Sequence, residues 1–116
     1  MALYYSLPIY RDVYSLLLKI FEVTKEFPRE YKYTLGQDMK RDAMKLVQGI
    51  YRANKAVDKQ ESIAVLQDDF EIVKLQIRLC ADLKVIGLGR QSQLAVLTDA
   101  IGRQLSGWSN SLQHRQ

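Results

Sequence analysis

The chain of 116 residues has one cysteine, one histidine and two prolines, and each shortage removes a class of explanation. A lone cysteine, Cys80, excludes an intramolecular disulfide and every multi-cysteine metal site. The only histidine, His114, stands third from the end, so most catalytic and metal-binding chemistry has no residues to work with. No apolar run approaches the ~20 residues needed to span a bilayer. The start, Met1-Ala2-Leu3-Tyr4-Tyr5, lacks the basic region and small-residue cleavage site of a signal peptide, so a cytoplasmic location and no membrane partner are expected. There is no glycine-rich phosphate loop, because Gly87-Leu88-Gly89 lacks the remaining spacing and follows no strand. Period-2 alternation of strand length, internal repeats and low-complexity tracts are also missing.

What is present is 47% hydrophobic and 26% charged residues, the balance of a single soluble globular domain spanning 1–116. The 17 basic against 13 acidic side chains give a net charge of +4, compatible with a nucleic-acid partner without demanding one. Its distribution is uneven. Segment 29–59 carries eight basic against four acidic residues, whereas 60–83 carries two against five.

A 3.6-residue apolar period runs through nearly the whole chain and predicts an all-α fold. The first helix, about 8–27, places Ile9, Val13, Leu16, Ile20, Val23 and Phe27 on one stripe, with Pro8 in its first turn, Ser6 as cap and Pro28 as stop. The second, about 35–57, opens on Thr34-Leu35-Gly36-Gln37, the spacing of a reciprocal capping box. Its stripe is Met39, Ala43, Leu46, Val47, Ile50 and Val57, with Asn54 on or beside the buried face.

The third, about 60–86, follows a similar start at Asp58-Lys59-Gln60-Glu61 and carries Ile63, Leu66, Phe70, Val73, Ile77 and Cys80 in phase, ending at Gly87-Leu88-Gly89. The fourth, about 91–108, uses Leu94, Leu97, Ile101, Leu105 and Trp108 before a polar tail, 109–116. Gly102 and Gly107 weaken it by ~1 kcal/mol each relative to alanine, so packing must hold it. Four helices with short connections predict an up-down-up-down antiparallel four-helix bundle, its longest loop at 28–34.

Two helices carry more apolar surface than one core face requires. The first has a second stripe, Tyr10, Tyr14, Leu17 and Phe21, and the third has Ile72, Leu75, Leu79, Leu83 and Ile86. The surplus points to homo-oligomerisation; the other reading is a wide core with the first helix central in a monomer.

On the second helix Arg41, Lys45, Gln48, Arg52 and Lys55 fall at steps of four, three, four and three, which draws a basic stripe away from the apolar face. Such a row attracts nucleic-acid phosphates; a plain solvated helix face has the same pattern. Lys74 and Arg78 form a second basic pair, with Asp82 one turn on as a surface partner for Arg78 worth ~0.3–0.5 kcal/mol. If the second and third helices are neighbours, the two sets share one surface. Tyrosine supplies seven of the aromatic side chains and suits interface packing. Cys80 is in core phase, and adjacent Asp68 and Asp69 diverge by about 100° on a helix, which is poor geometry for a catalytic pair. No residue set for catalysis emerges, so the chain is read as a non-enzyme, with no cofactor, metal or small-molecule substrate.

Tyr10-Arg11-Asp12-Val13-Tyr14, Phe27-Pro28-Arg29-Glu30, Leu35-Gly36-Gln37-Asp38-Met39 and Ile101-Gly102-Arg103-Gln104-Leu105-Ser106-Gly107-Trp108 occur in an order and spacing that resembles a known four-helix bundle family. It includes the ribosomal-RNA intervening-sequence proteins and the accessory variability determinant (Avd) of diversity-generating retroelements. The similarity covers about residues 9–108 and leans to the Avd branch: Ala53-Asn54-Lys55-Ala56 keeps the Asn but not the Glu-Gly of an Asn-Ile-x-Glu-Gly-like stretch. The resemblance implies a barrel-like homopentamer that binds a reverse transcriptase and its structured template RNA in support of mutagenic cDNA synthesis. It also implies a binding set of Arg41, Lys45, Arg52, Lys55, Lys74 and Arg78, with Arg103 as an outsider. An oligomeric scaffold or protein adaptor with no nucleic-acid role is the alternative.

Overall fold

The structure, a computed structural model, describes residues 3–113. Among them are four long helices, α1 (Pro8–Thr24), α3 (Leu35–Lys55), α4 (Lys59–Asp82) and α5 (Leu88–Gln113), with a one-turn helix α2 (Arg29–Lys32) and an opening 3₁₀ turn at Tyr4–Ser6. No strand occurs among the described residues. The long helices pack around a square in which α1 and α4 each lie against both α3 and α5. Cross-pairs fix the directions. Asp42 meets Gln76 and Met39 meets Cys80 between α3 and α4, while Asp12 meets Gln104 and Glu22 meets Arg90 between α1 and α5. Rising numbers on one helix face falling numbers on the next, as in the expected antiparallel bundle, which is 48 Å long and about 22 Å across.

The predicted stripes form the core. Ile9, Val13, Leu16, Ile20 and Val23 of α1 meet Met39, Ala43, Leu46 and Ile50 of α3, Leu66, Phe70, Val73 and Cys80 of α4, and Leu94, Ile101 and Leu105 of α5. Leu17, expected on the outward stripe, is a correction: it is only 8% exposed, because α1 packs between α3 and α5 and so buries a broader face. Tyr14 and Phe21 of that stripe do face solvent, and Tyr10 is half-buried. On α4, Ile72, Leu75, Leu79 and Leu83 are exposed, but Ile86 lies beyond the helix and is tucked into the core.

Helix ends depart more from expectation than helix interiors. Ser6 does not cap α1; Leu7 occupies the cap position with no side-chain bond, and Pro8 starts the helix. The helix stops at Thr24, whose hydroxyl donates to the Phe21 carbonyl at 3.2 Å, so Phe27 enters the core from a turn. Thr34 forms no capping box, since its hydroxyl donates back to the Glu30 carbonyl at 2.9 Å. Helix α3 ends at Lys55, leaving Val57 wholly exposed and off the stripe. The Lys59 ammonium donates to the Ala53 and Asn54 carbonyls at 3.1 and 2.7 Å, filling acceptors that a helix C-terminus leaves open. The start of α4 follows expectation, with the Asp58 carboxylate accepting from the Glu61 backbone N–H at 3.2 Å.

The end of α4 comes four residues early. Lys84 adopts φ 60°, its N–H donates to the Ala81 carbonyl at 3.1 Å, and the Val85 N–H donates to the Cys80 carbonyl at 3.0 Å. These two bonds make the Schellman closure of a helix, with lysine in the left-handed position that glycine usually takes. Gly87 and Gly89 instead lie at the start of α5, where the Gly87 carbonyl accepts from Gln91. Helix α5 then runs through the expected polar tail to Gln113, and the last three residues of that tail, including His114, lie outside the described residues.

Candidate nucleic-acid interface

The basic stripe of α3 is divided by its counter-charges. Asp42 sits at the α3–α4 seam, 7% exposed, and accepts from the Gln76 amide at 2.6 Å. Burial alone would raise its pKa, but that hydrogen bond and the cations of Arg41 and Lys45 hold it below the ordinary carboxylate value. Arg41 in turn contacts Asp42 at 3.3 Å and Asp38 at 3.1 Å, and its own pKa is raised, chiefly by the Asp42 bond. Lys45 reaches the same Asp42 carboxylate at 3.6 Å. The first two cations of the stripe are therefore largely compensated.

The later part is different. Among the described residues Arg52 and Lys55 have no carboxylate within ion-pair distance, and the Lys55 ammonium lies 4.5 Å from the centre of the Tyr51 ring. That contact uses the negative face of the aromatic ring and leaves the charge uncancelled.

Lys74 and Arg78 do not join the α3 stripe, although α3 and α4 are neighbours. Lys74 lies on the far side of α4, where it lines an open groove of about 740 Å³ against α5 with Phe70, Asp99, Gly102 and Arg103. There it pairs with Glu71 at 2.7 Å and sits 5.1 Å over the Phe70 ring. Arg78 pairs with Asp82 at 3.8 Å, the exposed partner its spacing suggested. The reason is helical geometry. At about 100° per residue, the seam with α3 is set by Val73, Gln76 and Cys80, and Lys74 and Arg78 point to the other flank. Arg103, the outsider, shares the groove with Lys74.

Sequence reasoning grouped the tyrosines without placing them. Tyr4 folds back from the 3₁₀ turn onto α3, with its ring 5.1 Å from Tyr51, and together with Val47, Gln48, Arg52 and Lys55 these two rings line one cleft. The i,i+4 spacing of Tyr51 and Lys55 was a local signal for half of it; the arrival of Tyr4 depends on tertiary packing.

Other chemistry has little support. Among the described residues no group of three or more His, Cys, Asp and Glu side chains could hold a metal ion, and no helix is long and apolar enough to cross a membrane. The Cys80 thiol is fully buried 3.4 Å from the Met39 sulfur, and burial pushes its pKa up to about 11, so it packs as an inert hydrophobe.

The sequence profile of the bAvd-like family matches residues 8–112, nearly the whole chain, in agreement with the resemblance drawn from residues 9–108. A comparison with curated proteins finds no match.

Proposed function

We propose, since the chain belongs to the bAvd-like family, that it is a non-catalytic accessory protein of a diversity-generating retroelement. In this reading it assembles into a barrel-like homo-oligomer, a pentamer by family resemblance, and binds a reverse transcriptase and structured template RNA through its basic surface. The observation that carries the reading, beyond family membership, is the uncompensated pair Arg52 and Lys55 on α3. Two cations on one copy are modest, but several copies in a ring add their fields and allow multivalent contact. The exposed apolar row of α4, with Val65, Ile72, Leu75, Leu79 and Leu83, supports the assembly, because a contiguous apolar stripe on a solvent face is unusual for a monomer.

The test is a binding titration of purified protein against structured RNA and against the polymerase, with light scattering to give the assembly mass. Replacing Arg52 and Lys55 by glutamate is expected to abolish RNA or polymerase binding while leaving mass and melting temperature unchanged. Affinity for RNA should fall with salt at a log–log slope of roughly −0.7 to −0.9 per phosphate contact. A flat salt response with polymerase binding intact favours the adaptor reading, to which the compensated cations Arg41, Lys45, Lys74 and Arg78 lend support.

A further inference from the structure

The cleft between the opening 3₁₀ turn and α3 has a volume of about 490 Å³ and is lined, among the described residues, by Tyr4, Val47, Gln48, Tyr51, Arg52 and Lys55. That size falls in the roughly 300–1,000 Å³ range of ligand clefts. The chemistry of that described lining is one-sided, with two aromatic rings, one aliphatic wall, one amide and two cations, and no carboxylate among them. The Tyr4 and Tyr51 planes stand 86° apart and form a corner. Tyr4 also meets Tyr5 and Tyr10 edge-on at 5.4 Å, and Tyr10 stacks on Tyr14 at 5.9 Å, so the corner continues into a row of five tyrosines along one edge of the bundle. Tyr51 keeps 46% of its surface in solvent, and Tyr5 and Tyr14 are exposed as well.

A flat apolar face beside uncompensated cations is complementary to a ligand that is itself flat, apolar on its faces and negatively charged at its edge. An unpaired nucleotide in a nucleic-acid strand is such a ligand, since its base presents a π-face and its phosphates follow the basic rim. A duplex is not, because its base faces are already stacked. We propose that this cleft is a base-stacking site for an unpaired segment of RNA, in which a base lies on Tyr51 against the edge of Tyr4 while Arg52 and Lys55 hold the flanking phosphates. Lys55 covers the Tyr51 face in the free chain; its flexible stem lets the ammonium swing out to a phosphate as the base enters. This rests on the RNA-binding reading above and narrows it to single-stranded elements of the RNA.

The experiment uses the full chain with a labelled, unstructured 12-nucleotide RNA, a DNA of the same sequence, and a blunt duplex RNA of equal length, measured by anisotropy across a salt series. Tyr51→Ala is expected to weaken unstructured RNA binding about 10-fold or more, from the value of one lost base–aromatic stack. Tyr51→Phe should keep wild-type affinity, and duplex binding should not move. The salt slope should survive Tyr51→Ala but shrink in Arg52→Gln. Equal weakening for DNA and RNA assigns the site to the stacked base; weakening for RNA alone adds a sugar contact. Tyr51→Leu keeps the bulk of the side chain should the alanine variant not fold, and carries the same expectation. Wild-type affinity for the unstructured strand in a folded Tyr51→Ala or Tyr51→Leu protein overturns the inference. So does a change in oligomeric mass in either variant, which would make the cleft a subunit contact. If structured RNA still binds with a steep salt dependence, the accessory reading survives that failure; if wild type binds no RNA at all, both fall.

Discussion

Gly49 of α3 lies directly against Leu66 of α4: a Cβ added at Gly49 would stand 2.7 Å from the Leu66 Cδ1 atom and 3.6 Å from its Cβ. Leu66 is 1% exposed and belongs to the packed core, so its Cδ1 must shift against buried neighbours to admit a methyl group. A glycine in mid-helix costs ~1 kcal/mol relative to alanine, so its presence here reflects the close approach of α3 and α4. Gly49→Ala is expected to lower stability by about 1–3 kcal/mol through overpacking, more than the helix propensity it regains. Gly107→Ala, where nothing lies within 4 Å, is the control and should raise stability by up to about 1 kcal/mol. Chemical denaturation of both variants checks the pair, and a stabilised Gly49→Ala would mean that the Leu66 side chain turns aside at little cost.

The contrast between Val57 and Phe27 shows where periodicity carries information and where it stops. Both were placed on stripes. Val57 lies beyond the end of α3, so its 3.6-residue phase no longer describes a helix, and it is fully exposed. Phe27 is also beyond its helix but is turned into the core by the Phe27 N–H bond to the Thr24 carbonyl at 3.3 Å. Period fixes which residues share a face inside a helix; caps and turns fix the ends, and they depend on neighbours in space. Asp58 was legible because its partner is three residues away, whereas the Lys59 cap on Ala53 and Asn54 bridges two helices and was not. The binding set divides the same way. The stripe on α3 follows from spacing, and so does the pairing of Arg41 and Lys45 with Asp38 and Asp42, which flank only its beginning, but the union of Tyr4 with Tyr51 across 47 residues depends on tertiary packing.

Lys84 is the sharpest local conflict between residue type and backbone. A side chain at φ 60° crowds the following carbonyl by roughly 1–2 kcal/mol, which glycine avoids. Glycine also loses more freedom on folding, which offsets part of that gain. Lys84→Gly is therefore expected to stabilise the fold modestly, by about 0.5–1 kcal/mol, seen as a raised melting temperature with unchanged helix content by circular dichroism. Lys84→Val, whose branched side chain fits this backbone poorly, should destabilise it.

Asp42 and Gln76 give the bundle a measurable acid sensitivity. The Asp42 carboxyl titrates below its ordinary value in the folded chain, so its charge contributes stability that is present above the unfolded value of about 3.9 and is lost as pH falls through the folded one. Asp42→Asn is expected to flatten that acid limb while keeping an acceptor for the Gln76 amide. Asp42→Ala removes the acceptor and leaves a half-buried amide unpaired, at a cost of about 1–3 kcal/mol at every pH. Urea midpoints at pH 7 and pH 3 distinguish the two, and parallel acid limbs in wild type and Asp42→Asn would assign the acid sensitivity elsewhere.

The outward face of α4 tests the proposed assembly without touching the core. Leu75 is 61% exposed and Leu79 42% exposed, and with Ile72 and Leu83 they continue a row spaced three and four residues apart. That is the spacing by which one helix seats another. Inside one chain this row lies outside the core, with only Ile72 reaching the α3 side, where it shares a small cleft with Asp42 and Lys45. Leu75→Glu with Leu79→Glu places two charges on the row. If the row is the contact between copies, burying those charges costs far more than the contact returns, and light scattering should report the mass of a single chain. The melting transition of that single chain should stay cooperative, since Val73, Cys80 and the rest of the core are untouched. An unchanged oligomeric mass would move the contact to the other exposed row, Tyr14, Leu18 and Phe21 of α1, where Leu18→Glu applies the same test.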